Sequence, residues 1–160
     1  MNWIKQIVSF ALPFTVLIIV PINIEKDWSF SGGWNFFMGL MLLTGGLIMI
    51  GLTVSSFIRI GKGTLAPWSP TKKLVVQGLY RYVRNPMILG VLLVLLGESA
   101  CTWSAALLQW AVLFFVINTA YFILFEEPGL EARFGTEYLD YKNHVSRWIP
   151  RLTPYNPDKK

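Results

Sequence analysis

Apolar positions run almost unbroken through long parts of this chain. A helix needs roughly 20 mostly apolar residues to cross a bilayer core of about 30 Å, and three runs meet that length. The first extends from Ile4 to Ile24, with Lys5 at its start and Pro13 and Pro21 inside. The second, Trp34 to Ile60, carries no charge until Arg59 and is dotted with Gly39, Gly45, Gly46 and Gly51. The third, Trp103 to Phe125, has Gln109 and Asn118 as its strongly polar residues. Between the last two lies a shorter run, Met87 to Gly97, that ends at Glu98-Ser99. Extended from Pro86 to Ala100 it reaches about 22 Å at 1.5 Å per residue, so it either thins the bilayer or forms a short hairpin with the run that follows. The pattern predicts an all-α integral membrane protein with about four transmembrane helices, the third of them short.

Beyond Phe125 the pattern changes. Leu130, Phe134, Tyr138, Tyr141, Val145 and Trp148 recur at spacings of four, four, three, four and three, which is the apolar stripe of an amphipathic helix. Gly135 weakens this helix, Pro150 ends it, and its aromatic content suits an interfacial position against the cytoplasmic ends of the membrane helices. The first run resembles a secretory leader, but no small-x-small site follows Val20, and it reads as an uncleaved anchor.

Composition agrees with a membrane chain. Hydrophobic residues are 54%, charged residues 14%, and mean hydropathy is +0.49, against roughly 25% charged residues in soluble domains. One cysteine, Cys101, and one histidine, His144, leave no disulfide framework and no cysteine–histidine metal site, so no metal is expected. The basic residues explain the net charge of +5. Arg59, Lys62, Lys72, Lys73, Arg81 and Arg84 lie between the second and third helices; Arg133, Lys142, Arg147, Arg151, Lys159 and Lys160 lie in the tail. Lys5 precedes the first helix, and Lys26 alone falls on the other side. The positive-inside rule places both termini and the 59–84 segment in the cytoplasm, and the lack of a cleavable signal or organelle address points to a bacterial-type inner membrane. Topology thus accounts for the charge, and no nucleic-acid partner is expected. The chain reads as one membrane domain, 1–160, with an N-terminal helix pair (1–58) and a core (59–152).

Polar chemistry concentrates at two places. Arg84-Asn85-Pro86 reads as a helix start, with Asn85 as N-cap and Pro86 in the first turn. The same features make an anion site, because helix N-terminal amides beside Arg84 would hold a carboxylate. Glu126-Glu127 admits three readings: caps of a helix begun by Pro128, partners of Arg81 or Arg84, or a site for a cationic ligand. Glu98 reads as a solvated acid near the outer interface, His144 as solvated, and Cys101 as a small packing residue. Ser9, Ser55 and Ser99 have no histidine neighbour or nucleophile-elbow motif, and Gly61-Lys62-Gly63-Thr64 lacks the spacing of a phosphate-binding loop.

Four blocks in order carry a resemblance: Gly78-Leu79-Tyr80-Arg81-Tyr82-Val83-Arg84-Asn85-Pro86-Met87, then Glu126-Glu127, then Phe134-Gly135-Thr136-Glu137-Tyr138 with Tyr141, then Arg147-Trp148-Ile149-Pro150-Arg151. Over about residues 59 to 152 the chain resembles the isoprenylcysteine carboxyl methyltransferase family, which is grouped with the phospholipid N-methyltransferases. The resemblance implies a helical membrane enzyme that binds S-adenosylmethionine on the cytoplasmic side. Carried over by position, cofactor contacts fall on Lys72, Lys73, Leu74, Val75, Tyr80, Asn85, Pro86, Met87, Ile88 and Glu126, with Arg84 beside them from the helix-start reading. Asn85 stands where the family usually has histidine, and Ile88 where it has tyrosine. Phe122 occupies the acceptor position at which eukaryotic members carry an arginine for the prenylcysteine carboxylate.

The implied acceptor is a lipophilic small molecule or lipid-modified group within the membrane lipid. A phospholipid or small thiol on the same scaffold is the alternative. Methyl transfer is an in-line displacement driven by alignment and water exclusion, with no compulsory acid–base pair. For an acceptor that must lose a proton, Glu127 or Tyr80 is the expected catalytic group. From another class come a four-helix transporter using Glu98 as its coupling carboxylate and a non-catalytic scaffold.

Overall fold

Helix is the only regular structure among the described residues, 12–30, 32–60 and 74–156 of a computed structural model. Five helices follow one another: α1 (Leu12–Ile24), α2 (Trp34–Ile60), α3 (Pro86–Thr102), α4 (Ala105–Phe134) and α5 (Thr136–His144), with a 3₁₀ turn, Gly78–Arg81, before α3. The start of the first apolar run and the stretch with Lys62, Lys72 and Lys73 lie outside the described residues. Two helical stretches, Trp34–Ser56 and Ala105–Phe134, are long and apolar enough to cross a membrane; Leu12–Ile24 and Pro86–Thr102 are shorter apolar helices. Their large side chains face outward: Phe37 is 66% exposed, Ile48 63% and Leu124 63%. A soluble fold would bury these groups, so the chain is a membrane protein.

Glycine lets α2 and α3 meet at backbone distance. Gly39 faces Gly97 and Gly46 faces Gly90, each pair spaced seven residues along its helix. A Cβ on Gly46 would stand 2.6 Å from the Gly90 carbonyl oxygen, and one on Gly97 2.8 Å from that of Gly39. Small residues at such crossings replace the hydrophobic drive that lipid cannot supply. Next to this seam Val91, Leu95, Ala111 and Phe114 form the core between α3 and α4, and Val16 and Leu17 of α1 pack on it.

The α3–α4 connection is a tight hairpin. Trp103 closes α3 in the left-handed region (φ 54°), and Ser104 caps α4 by accepting from the Leu107 amide. The sequence expectation of a short third helix paired with the next is met: α3 runs Pro86–Thr102.

Two prolines leave the same mark. A proline within a helix clashes with the carbonyl four residues earlier and lacks an amide. In α1 a π-turn, Thr15–Ile19, ends two residues before Pro21; in α4 another, Phe122–Glu126, ends two residues before Pro128. The wider turn absorbs the clash, so α4 continues through Pro128 to Phe134. Of the readings open for Glu126-Glu127, that of caps on a separate helix begun by Pro128 is thereby set aside.

The tail stripe does form, in altered shape. Gly135 (φ 53°) breaks it, and its second helix ends at His144, before Pro150. Tyr138, Tyr141, Val145 and Tyr155 make a second buried cluster against Leu74, Val76, Leu130 and Phe134. The tail is also tied to the segment ahead of α3. The Arg84 amide donates to the Ser146 carbonyl (3.0 Å), the Arg151 amide to Tyr82 (2.9 Å) and the Tyr155 amide to Arg81 (2.9 Å). The Tyr141 hydroxyl donates to the Tyr80 carbonyl at 2.6 Å. Tyr141→Phe should therefore lower stability by about 1 kcal/mol, read as the unfolding midpoint in detergent; an unchanged midpoint would show that this bond does not hold the tail.

Candidate active site

Three elements converge at the Pro86 end of the bundle: the turn and extended segment before α3, the inner face of α4 around its π-turn, and the tail after α5. Helix α3 starts at Pro86 with Asn85 at the N-cap position, as the sequence predicts. Asn85 makes no side-chain capping bond, so the first amides of α3 keep the unsatisfied donors of a helix start.

Glu127 is the electrostatic centre. Its side chain is 6% exposed, and Arg84 Nη1 (3.1 Å), Arg147 Nε (2.6 Å) and Lys142 Nζ (3.4 Å) all reach its oxygens. Three cations on one buried carboxylate keep it ionised and fully engaged. Of the readings open for the Glu pair, Glu127 follows the pairing with Arg84, while Arg81 Nε donates instead to the Tyr155 carbonyl. Arg84 also donates to the Tyr138 hydroxyl (3.3 Å), yet its Nε is buried without a hydrogen-bond partner.

Glu126 points another way. Its charge is felt by Tyr80. Burial, and then Glu126, push the Tyr80 hydroxyl well above its ordinary range, so it stays protonated.

Beside these groups is an aromatic wall. Trp148 packs on Phe115 (centroids 5.3 Å apart) and on Phe122 (6.0 Å). Its indole Nε1 and the Thr119 hydroxyl are buried without hydrogen-bond partners. Phe115, Thr119, Phe122 and Glu126 succeed one another at helical spacing, so they share one face of α4. The π-turn lies within this face, and π-turns recur at functional sites.

The structure thus brings together Tyr80, Arg84, Asn85, Pro86, Phe122, Glu126 and Glu127. Leu74 packs on the tyrosine cluster, and Ile88 packs on the Val91–Phe114 core. Val75 and Met87 are half-buried; Lys72 and Lys73 fall outside the described residues. Sequence reasoning did not single out Phe115, Thr119 or Trp148 for the site. Their signal was available, since Phe115 and Thr119 precede Phe122 by seven and three residues.

A helical membrane bundle with a polar, partly unsatisfied site at one end defines the class. The chain belongs to the phospholipid methyltransferase family, whose model matches residues 34–137. The match takes in α2 as well as α3, the α4 site face and Tyr138's neighbourhood up to Glu137. Among curated proteins, it is 40% identical over 77 residues to "Methanethiol S-methyltransferase 2" of Bradyrhizobium diazoefficiens, covering 46% of this chain and 27% of that protein. It is 34% identical over 76 residues to "Methanethiol S-methyltransferase" of Mycobacterium tuberculosis, covering 45% of this chain and 28% of that protein. The chain therefore spans little more than a quarter of those relatives' length. An uncharacterized protein of Haemophilus influenzae is 37% identical over 65 residues, all of its length and 39% of this chain. No solved structure matches the chain.

Proposed function

We propose that this protein methylates a small, apolar thiol with S-adenosylmethionine, at the Pro86 end of the bundle. The observation that carries the reading is the family match over residues 34–137, which encloses Tyr80, Arg84, the α3 start and the Glu126 face. The site residues fit the cofactor's polar groups. The unpartnered Arg84 Nε and the α3 amides suit its carboxylate. Glu126 suits its ammonium, and the face with the Trp148 indole suits its purine. Lys72, Lys73, Leu74 and Val75 would border it from the segment before the 3₁₀ turn, and Met87 and Ile88 from the first turn of α3. When bound, the cofactor supplies an activated methyl on sulfur.

Phe122 favours a neutral or thiolate acceptor over a prenylcysteine carboxylate, because the wall it forms with Trp148 offers that carboxylate no cation. Two relatives that bear the methanethiol name point the same way. Glu127 orders Arg84 and Arg147 and takes no proton, and Tyr80 holds its own. The nucleophile is then the small thiolate fraction already present near neutral pH. With methanethiol, kcat/KM should rise about tenfold per pH unit until the thiol's own pKa. A flat profile would restore a protein base.

The direct test is production of dimethyl sulfide from methanethiol and S-adenosylmethionine by detergent-purified protein. It is run beside phosphatidylethanolamine and a farnesylcysteine analogue. Glu126→Gln and Trp148→Leu should each weaken cofactor binding at least tenfold. Faster methylation of either lipid acceptor would overturn the thiol reading, and no cofactor binding to folded protein would overturn the site. In the same reading four helices cross the bilayer within one domain, with both termini and the 59–84 segment on the cytoplasmic side. The 13-to-1 split of basic residues supports that topology, and reporter fusions at Lys26 and at the C-terminus check it.

A further inference from the structure

Glu98 is a carboxylate for which the proposed reaction has no use. It lies twelve residues beyond Pro86 on α3, about 18 Å along the helix axis, at the end of the bundle away from Arg84 and Glu126. Its Oε2 is buried without a hydrogen-bond partner. The ion pairs among the described residues all lie elsewhere. The Thr102 hydroxyl bonds to its backbone carbonyl, and the nearby Cys101 thiol is directed to the Phe36 carbonyl at 3.7 Å.

The carboxylate borders an open, groove-like cavity of about 480 Å³ lined by Leu17, Ile18, Ile22, Trp28 and Glu98. That volume falls in the range of small-molecule sites, roughly 300–1,000 Å³. Ile18 and Ile22 are themselves exposed on the outward face of α1, so the cavity opens toward lipid. Leu17 and Ile18 belong to the π-turn of α1. The two π-turns of the protein's described part thus border its two unsatisfied polar sites.

Among the described residues lining the cavity Glu98 is the sole ionisable one, which suits a binding site and not a proton relay. A lone acid with apolar walls is complementary to a cation on an apolar body: the carboxylate supplies the counter-charge that burial otherwise makes costly. An indole face adds attraction for an ammonium. We propose that this cavity binds an organic ammonium carried on an apolar chain, entering from the membrane, with Glu98 as counter-ion and Trp28 against the cationic head.

The experiment is calorimetric titration of the full chain in maltoside micelles with dodecylammonium, and with dodecanol as its neutral counterpart. Wild type should bind dodecylammonium saturably and at least tenfold more tightly than dodecanol. Glu98→Gln should remove that preference while keeping its helical circular dichroism, and Ile18→Trp, which fills the cavity, should remove binding of both. Equal affinity for the two ligands, or an undiminished preference in folded Glu98→Gln, overturns the proposal. So does absence of saturable binding to wild type. Displacement by phosphatidylethanolamine would identify a lipid headgroup as the occupant, and failure to displace a free amine; either result retains the site. Cofactor binding is measured in parallel, and because the two sites share no residue its failure would leave this result standing.

Discussion

Glu127→Gln should cost on the order of 3 kcal/mol of stability, the largest loss expected from any single side chain at the site. Removing one member of a buried ion pair leaves its partners charged and unpaired. Here Arg84, only 10% exposed, would lose its single carboxylate partner among the described residues, and Arg147, 23% exposed, would lose its short bond. Lys142 would lose less, because it is a third exposed and also pairs with Glu131. The measurement is the unfolding midpoint of purified protein in detergent, with the double variant Glu127→Gln/Arg84→Met beside it. The double variant should be less destabilised than the single one, since it removes the stranded charge. Were Glu127 instead a proton acceptor, its glutamine variant would keep the wild-type midpoint and lose turnover alone.

Adjacent glycines should behave oppositely. Gly46→Ala places a Cβ within 3 Å of the Gly90 carbonyl oxygen, Val94 Cγ2 and the Val94 amide nitrogen. Two of these three atoms are backbone, so helices α2 and α3 must separate. Overpacking of this kind costs about 1–3 kcal/mol, and loss of the seam would also displace the Gly39–Gly97 contact one turn pair away. Gly45→Ala meets nothing within 4 Å. It should be neutral or stabilising by up to about 1 kcal/mol through helix propensity. Midpoints of both variants in the same detergent decide the matter; equal effects would mean that α2 and α3 do not meet through this seam.

Much of the fold was legible in one dimension. Apolar run length gave α2 with both its ends at Trp34 and Ile60, because nothing but hydropathy and helical hydrogen bonding sets a lipid-facing segment. The α3 start at Asn85-Pro86 was legible for a local reason, the fixed φ and missing amide of proline. The tail stripe was legible as periodicity, though not its partner. Tyr138, Tyr141 and Val145 were expected against the membrane interface, whereas they close on Leu74, Val76 and Tyr155.

The π-turns mark an intermediate case. Pro21 and Pro128 are plain in the sequence, and each could have signalled a helix that widens instead of ending. The choice depends on whether the chain beyond the proline has something to pack on. Past Pro128 it does, since Leu130 and Phe134 join the tyrosine cluster.

The sequence by itself determined the class of protein and the extent of its main apolar helices, because apolar length and proline act locally. Tertiary structure alone decided which glycines are contacts and which are lipid-facing: Gly45 and Gly46 are chemically identical and differ only in which side of α2 meets α3. It also decided that Glu126 and Glu127, neighbours in the chain, part company. A helix turns about 100° per residue, so one carboxylate lies on the side felt by Tyr80 while the other meets three cations drawn from α3's approach, α5 and the tail.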